Sequence, residues 1–329
     1  MLIKMKEVTF DEYLDFVSKH KSVLIENEEI ELEPIEVKYI EPPANELTDV
    51  STTVWSFPLR GSWATHKGNY RGNWAPQIPR ALIEMYTKPG DLILDPMVGG
   101  GTTLIEARLL GRNAIGVDIN YNAVILTLHR LYYLEKALEH LKKSGLDVFF
   151  DSESVTQKYP ECWYRVYHGD VRNLNEIKDE SIDLIATHPP YFNIIRYSRG
   201  KVEGDLSKTN KLEKYLKGMK KAAEEMFRVL KPGKYCALLI GDTRVHKHFV
   251  PISHYVLQVF LDAGFILKEE VIKIQHKMKT TREVWSKLKE RDVLLIYHEK
   301  LFILRKPLDI SEYRRYRYSV KPDFLELRL

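Results

Sequence analysis

Asp95, Asp118, Asp170 and His188 each follow a short apolar run, and each carries a side chain able to grip a polar ligand. Carboxylates accept bonds from hydroxyls, amines and backbone N–H groups, and an imidazole changes charge near neutrality. The run Leu92-Ile93-Leu94 ends at Asp95-Pro96 and leads into Gly99-Gly100-Gly101 and Thr102-Thr103. Glycines let the backbone bend where a Cβ would clash. The threonines open a helix through Leu104, Glu106, Ala107 and Leu110, which Gly111 closes. Such a turn offers free backbone N–H groups to an anionic part of a ligand. Further on, Asp183-Leu-Ile-Ala-Thr ends in His188-Pro189-Pro190-Tyr191. Two prolines make a rigid, extended exit whose carbonyls meet no local N–H.

The glycine turn alone fits more than one chemistry. With Asp118 closing Ala-Ile-Gly-Val-Asp, it also suits a nicotinamide-dependent dehydrogenase. A P-loop is excluded, because no Gly-Lys-Ser/Thr follows the glycines.

The elements that must position these residues alternate along the chain. Strands are expected at 92–94, 114–117, 164–167, 182–186, 234–240, 265–274, 293–297 and 301–304. Helices are expected at about 80–86, 122–141, 211–230 and 252–263, the third stopping at Lys231-Pro232-Gly233. Strand–helix alternation predicts an α/β fold with a doubly wound, mostly parallel sheet. Ligands of such sheets sit beyond the C-terminal strand ends, where strand order reverses. Asp95, Asp118, Asp170 and His188 all fall at those ends and are expected to share one crevice.

Asp-Pro-x-x-Gly-x-Gly-Thr-Thr followed by x-Pro-Pro-Tyr resembles the S-adenosylmethionine-dependent amino-methyltransferases of nucleic acids. The resemblance covers roughly residues 60 to 306 and is nearest to the branch that methylates cytosine N4. It implies a Rossmann-like, seven-stranded class I methyltransferase sheet with S-adenosyl-L-methionine as cofactor. It also implies roles. Asp118 takes the ribose hydroxyls, Asp170 the adenine amino group, and the turn from Gly99 through Gly101 to Thr102 and Thr103 the methionine carboxylate. Asp95 lies near the cationic amino end. A Pro-Gln segment in the family closes over the methionine end, which makes Gln77 a cofactor candidate; an ordinary loop cap is the alternative. His188 and the Pro189 carbonyl, followed by Pro190, accept hydrogens from the target amine while Tyr191 stacks on the base. Family members usually carry Ser, Asp or Asn where this chain has His188. Ser goes with cytosine N4; Asp or Asn goes with adenine N6, guanine N2 or a protein glutamine. A neutral imidazole is required, so activity is expected to fall as pH drops through its pKa, near ~6.5 if unperturbed.

The same resemblance divides the chain into an accessory segment 1–59, a methyltransferase domain 60–307 and a basic, aromatic tail 308–329. The accessory segment reads as an amphipathic helix near Phe10–Phe16, a strand near Val23–Ile25, a Glu-rich stretch and a Pro42-Pro43 linker. Trp63, His66, Tyr70, Arg71 and Trp74 either stack on nucleic acid or pack in a loop. The tail run Tyr313-Arg-Arg-Tyr-Arg-Tyr318 either contacts phosphates and bases or lies on the domain. Lys201, Lys208, Lys211 and Lys214 read as a solvated face.

Composition bounds the rest. Fifty Lys and Arg against 46 Asp and Glu leave +4, so any nucleic-acid surface must be local. No apolar run approaches the ~18 residues of a membrane span and no signal peptide stands at the start, so a soluble, cytoplasmic protein is expected. Cys162 and Cys236 form no Cys-x-x-Cys, and neither follows a proline, which argues against zinc, disulfides and cytosine C5 methylation. His246-Lys-His248 lacks metal-site surroundings, and no metal is expected. The 29% charged fraction hints at a heat-adapted source. With only short loops and a tail left for target recognition, structured RNA such as ribosomal RNA is expected ahead of duplex DNA. A DNA cytosine-N4 or adenine-N6 methyltransferase, the dehydrogenase and a non-catalytic binder of cofactor or nucleic acid are the alternatives.

Overall fold

Runs of Leu, Ile, Val and Ala buried on both faces build the central strands, and apolar residues at helical spacing build the layers around them. The computed structural model describes residues 2–25, 28–43, 50–70, 72–144, 158–192, 204–206, 209, 211–276, 283, 285–287 and 292–321. Arg71, Lys201 and Lys208 lie outside the described residues.

In chain order the elements are β1 (Lys6–Glu7), α1 (Phe10–Lys19), β2 (Ser22–Ile25), β3 (Glu28–Glu31), β4 (Val54–Ser56) and α2 (Gln77–Tyr86). Then come β5 (Leu92–Asp95), α3 (Thr102–Leu109), β6 (Asn113–Asp118), α4 (Tyr121–Ser144), β7 (Tyr164–His168), β8 (Ile182–Thr187) and α5 (Leu212–Val229). The chain continues with β9 (Leu230–Ile240), β10 (Thr243–Val245), β11 (His248–Val250), α6 (Ile252–Asp262), β12 (Ile266–Ile274), β13 (His298–Arg305) and α7 (Ile310–Arg315).

The main sheet has nine strands in the order β1-β7-β6-β5-β8-β9-β13-β12-β4. Pairing from β7 through β9 is parallel, and β13 runs antiparallel to both β9 and β12. The inner seven strands are the expected doubly wound sheet. The other two correct the expected count: β1 pairs with β7 and β4 with β12, so the N-terminal segment covers both edges. An open edge is a template for unwanted pairing, and two short strands close it.

Period-2 alternation sends side chains to two cores. Ile93, Ala114, Leu184, Ala186, Ala237 and Leu239 join α2, α3 and α4, whereas Leu94, Ile115, Ile185, Leu238 and Ile240 join α5 and α6. Each fully buried Leu or Ile contributes about 1.5–3 kcal/mol. The accessory segment shares the first core through Tyr13, Val23, Ile25 and Ile30, and the Tyr13 hydroxyl meets His129 Nδ1 at 2.8 Å.

Several boundaries differ from expectation, among them β9, which begins at Leu230 rather than Lys234 and runs through Pro232-Gly233. Helix α2 begins at Gln77 rather than Arg80, because Pro79 sits in the first turn, where no N–H is needed. Strand β13 begins at His298, and residues 293–297 form no strand. Glu299 and Lys300 pair with Lys273 and Ile272 across the ladder despite their charge. In the tail, Tyr313 is buried and its hydroxyl donates to the Gly264 carbonyl at 2.7 Å, while Tyr318 is exposed. No helix among the described residues is long and apolar enough to cross a membrane.

Candidate active site

Strand order reverses between β5 and β8, and the two strand ends are tied there. The Thr187 hydroxyl donates to Asp95 Oδ1 at 2.9 Å, and Thr103 donates to Asp95 Oδ2 at 2.5 Å. A cleft opens at this point, lined by Asp95, Gly99, Thr102, Asp118, Asp170, His188 and Pro190 among others. The four strand-end residues do share one crevice.

Each carboxylate has a distinct setting. Withdrawal from water pushes Asp95 up to about 6 against the pull of its two threonine bonds. Asp118 accepts the N–H groups of Gly99 at 2.9 Å and Asn120 at 2.8 Å. Withdrawal from water still dominates and raises it to about 7, with Asp205 and Asp95 adding to the rise. Asp170 is gripped by Arg172, whose Nε donates at 2.8 Å and whose guanidinium also reaches the Gly204 carbonyl. Neither Asp95 nor Asp118 has an ion-pair partner among the described residues.

The glycine turn is built for close approach. Gly99 has φ +53° and Gly101 φ +82°, a region costly for residues with a Cβ. At Gly99 an added Cβ would lie 3.1 Å from the Tyr70 ring. Gly101 caps α3, and Arg130 supports the turn from behind through the Gly100 carbonyl. Thr102, on the cleft wall, has a buried Oγ1 with no hydrogen-bond partner among the described residues.

His188 sits where β8 gives way to the prolines. Its Nε2 lies 2.6 Å from the Tyr191 hydroxyl, which donates to Glu299 Oε1 at 2.5 Å. Glu299 Oε2 accepts from Lys273 Nζ at 2.8 Å. Withdrawal from water pushes the imidazole down to about 4, despite the nearby Glu299 charge. A ring held at about 4 is neutral through the physiological range, which moves the expected loss of activity down from ~6.5 to about 4. Its Nδ1 is buried without a hydrogen-bond partner among the described residues. Pro190's carbonyl accepts the Tyr215 hydroxyl at 3.0 Å, whereas Pro189's takes no donor among the described residues.

Other expected contacts divide. Tyr70 and Trp74 line the cleft, and the Trp74 ring stacks on His188 with centroids 6.0 Å apart. Trp63 and His66 instead donate to the buried Glu106 at 2.7 and 2.6 Å, inside the first core. Gln77 is off the cleft wall: its amide accepts from Gly61 N–H and donates to the Leu59 carbonyl. The ring of Tyr191 is packed on Gly241, where a Cβ would come within 2.6 Å, so its exposed area is small. Lys211 and Lys214 are exposed and line no part of the cleft. Among the described residues no cluster of His, Cys, Asp and Glu is able to hold a metal ion.

Sequence reasoning missed Asp205, Arg172, Lys273 and Glu299. The last had a signal: counting back by two from Ile303 and Leu301 puts Glu299 on their buried face.

A parallel sheet with its acids gathered at the switch point is the place where such folds hold nucleotide-type ligands. Residues 8–127 and 182–318 match the DNA methylase family, and the chain belongs to it. That membership displaces the dehydrogenase reading. The family's methyl donor is S-adenosyl-L-methionine. The cleft suits that group: two carboxylates without an ion-pair partner among the described residues for its positive charge, a Thr102 hydroxyl with no hydrogen-bond partner among them at a helix N-terminus for its carboxylate, and a glycine turn that admits close approach.

Among its relatives, the Type II methyltransferase M.MjaII of Methanocaldococcus jannaschii is 28% identical over 34% of this chain and 24% of its own length. A tRNA (guanine(10)-N2)-dimethyltransferase of Methanothermobacter thermautotrophicus is 32% identical over 37% of this chain and 29% of its own. The chain thus spans about a quarter to a third of these relatives. A solved S-adenosylmethionine-dependent methyltransferase from Methanosarcina mazei is 18% identical over 69% of this chain and 98% of that one, with a TM-score of 0.40.

Proposed function

We propose that this protein methylates the exocyclic amine of a nucleobase within nucleic acid, with cytosine N4 as the target and S-adenosyl-L-methionine as donor. The observation that carries this reading is a buried imidazole at the head of Pro-Pro-Tyr, beside an acidic cleft, whose Nδ1 has no hydrogen-bond partner among the described residues.

The bound cofactor supplies a methyl group already activated on a cationic sulfonium. The chain's own residues hold and orient. Asp118 takes the ribose hydroxyls, and Asp170, shared with Arg172, takes the adenine amino group. Thr102 and the turn's N–H groups take the methionine carboxylate, with Asp95 near the amino end. An exocyclic amine is a poor nucleophile, because its lone pair is delocalised into the ring. His188 Nδ1 and the Pro189 carbonyl accept its two hydrogens and favour a pyramidal nitrogen. Trp74 and Tyr70 flank the base. Alignment of nitrogen, methyl and sulfur supplies on the order of 7–11 kcal/mol.

Cytosine N4 is put ahead of adenine N6 because His188 stands where the Asp or Asn that goes with adenine N6 would be. Structured RNA is favoured over duplex DNA, since a base already unpaired in a loop enters such a cleft without the few kcal/mol of flipping. Tritiated methyl transfer to unmodified ribosomal RNA and to unmethylated plasmid DNA tests the reading. His188→Ala is expected to keep cofactor affinity yet lose ~100-fold in single-turnover rate, and His188→Ser to recover part of it. Near-normal turnover in the alanine variant would remove His188 from the mechanism.

A further inference from the structure

Lys273 and Glu299 are charged, largely buried and remote in sequence from every motif that points to the cofactor. They are direct cross-strand partners in the β12–β13 ladder, and Glu299 is 7% exposed. From this pair a continuous chain of hydrogen bonds reaches the cleft. Lys273 Nζ donates to Glu299 Oε2 at 2.8 Å, Tyr191 donates to Glu299 Oε1 at 2.5 Å, and His188 Nε2 lies 2.6 Å from the Tyr191 oxygen.

Hydrogen counting along this chain gives it a direction. Burial opposes the charge on Glu299, but the Lys273 ammonium and the bonds from Lys273 and Tyr191 hold its carboxyl down at about 2. A carboxylate only accepts, so the single hydroxyl hydrogen of Tyr191 is committed to Glu299. Towards His188 the Tyr191 oxygen then acts as an acceptor. A neutral imidazole carries one hydrogen, which must sit on Nε2, leaving Nδ1 as a lone-pair acceptor. That Nδ1 is the buried nitrogen without a hydrogen-bond partner among the described residues. The cleft alone would not enforce this arrangement, because the Gly72 backbone beside the ring favours a protonated nitrogen.

We propose that the Lys273–Glu299 pair, acting through Tyr191, is a positioning device that fixes His188 in its Nε2–H tautomer and so selects a hydrogen-donating amine at the target site. The inference rests on the amino-methyltransferase reading for its purpose, though not for its measurement. Tyr191 is thereby a bridge, held with its ring against Gly241. A carbonyl or ring nitrogen offered to the same place would meet a lone pair and be rejected.

Nitrogen-15 NMR of the ring of His188, in the full-length protein without ligand, reads the tautomer directly. The wild type is expected to show a protonated Nε2 and an unprotonated Nδ1. Tyr191→Phe, which preserves shape, is expected to lose that preference and to drop the single-turnover rate ~100-fold with cofactor affinity unchanged. Glu299→Gln lets the hydroxyl hydrogen turn towards His188 and should move the proton to Nδ1. Adding Tyr191→Phe to it should cost little more, as expected of residues acting as one unit. Since Glu299→Gln leaves Lys273 buried and unpaired, the pair Lys273→Met with Glu299→Gln serves where the single variant does not fold. A wild-type ring protonated on Nδ1, or Tyr191→Phe with the wild-type tautomer and rate, would overturn the proposal. The expected tautomers together with normal transfer by His188→Ala would instead uphold the device and overturn the functional reading.

Discussion

Asp118 shows how one side chain is fixed at the glycine turn and on the cleft wall together. Its two oxygens already hold the Gly99 and Asn120 N–H groups, so it arrives in place before any ligand does. Asp118→Asn is expected to weaken S-adenosylmethionine binding by ~1–3 kcal/mol through loss of charge-assisted bonds, while the melting temperature changes little. Unchanged affinity by calorimetry would show that the ribose is held elsewhere. The same acid sets a pH dependence. The cofactor is cationic and prefers ionised carboxylates, and Asp95 and Asp118 are raised to about 6 and about 7. Affinity is therefore expected to rise with pH across that window and to level off above it. With His188 held near 4, the rise should persist in His188→Ser and shrink in Asp118→Asn. Affinity flat from acid to neutral would contradict this assignment. All four strand-end residues were legible from type and position alone, because an apolar run must end where a buried strand ends. The shift of the histidine was not, since it depends on Trp74 and Tyr191 closing around the ring.

Strand β13 shows what element-level reading could and could not supply. Leu301 to Leu304 announces a strand, but His298-Glu299-Lys300 reads as a polar turn until its partners are known. Those partners are Ile274, Lys273 and Ile272, and only the ladder brings an ammonium opposite the carboxylate. Similarly, β1 and β4 are two and three residues long, too short for any periodicity to reveal, and are fixed by the edges they cover. Gly241, directly after β9, is the second place where an element fixes chemistry. A methyl group there would lie 2.6 Å from the Tyr191 ring, which His188 and Glu299 prevent from yielding. Gly241→Ala is expected to cost about 1–3 kcal/mol by overpacking and to reduce methyl transfer more than cofactor binding. A variant with wild-type stability and rate would mean that Tyr191 is free to move.

For the whole molecule, the doubly wound sheet gathers Asp95, Asp118, Asp170 and His188 on the same strand ends, which is what the proposed cofactor and target sites require. Fifty Lys and Arg against 46 Asp and Glu leave only +4, and Tyr313 of the tail is occupied with packing. Affinity for nucleic acid should accordingly depend on a few local cations, with a shallow dependence on salt. The modified base itself is the decisive product. Nucleoside mass spectrometry of ribosomal RNA and genomic DNA, from cells with and without the gene, reads it most directly. The expected result is an N4-methylated cytosine present in ribosomal RNA with the gene and lost without it. Its loss from DNA alone would keep the chemistry and overturn the choice of RNA, whereas no change in any amino-methylated nucleoside of RNA or DNA would contradict the account at its centre.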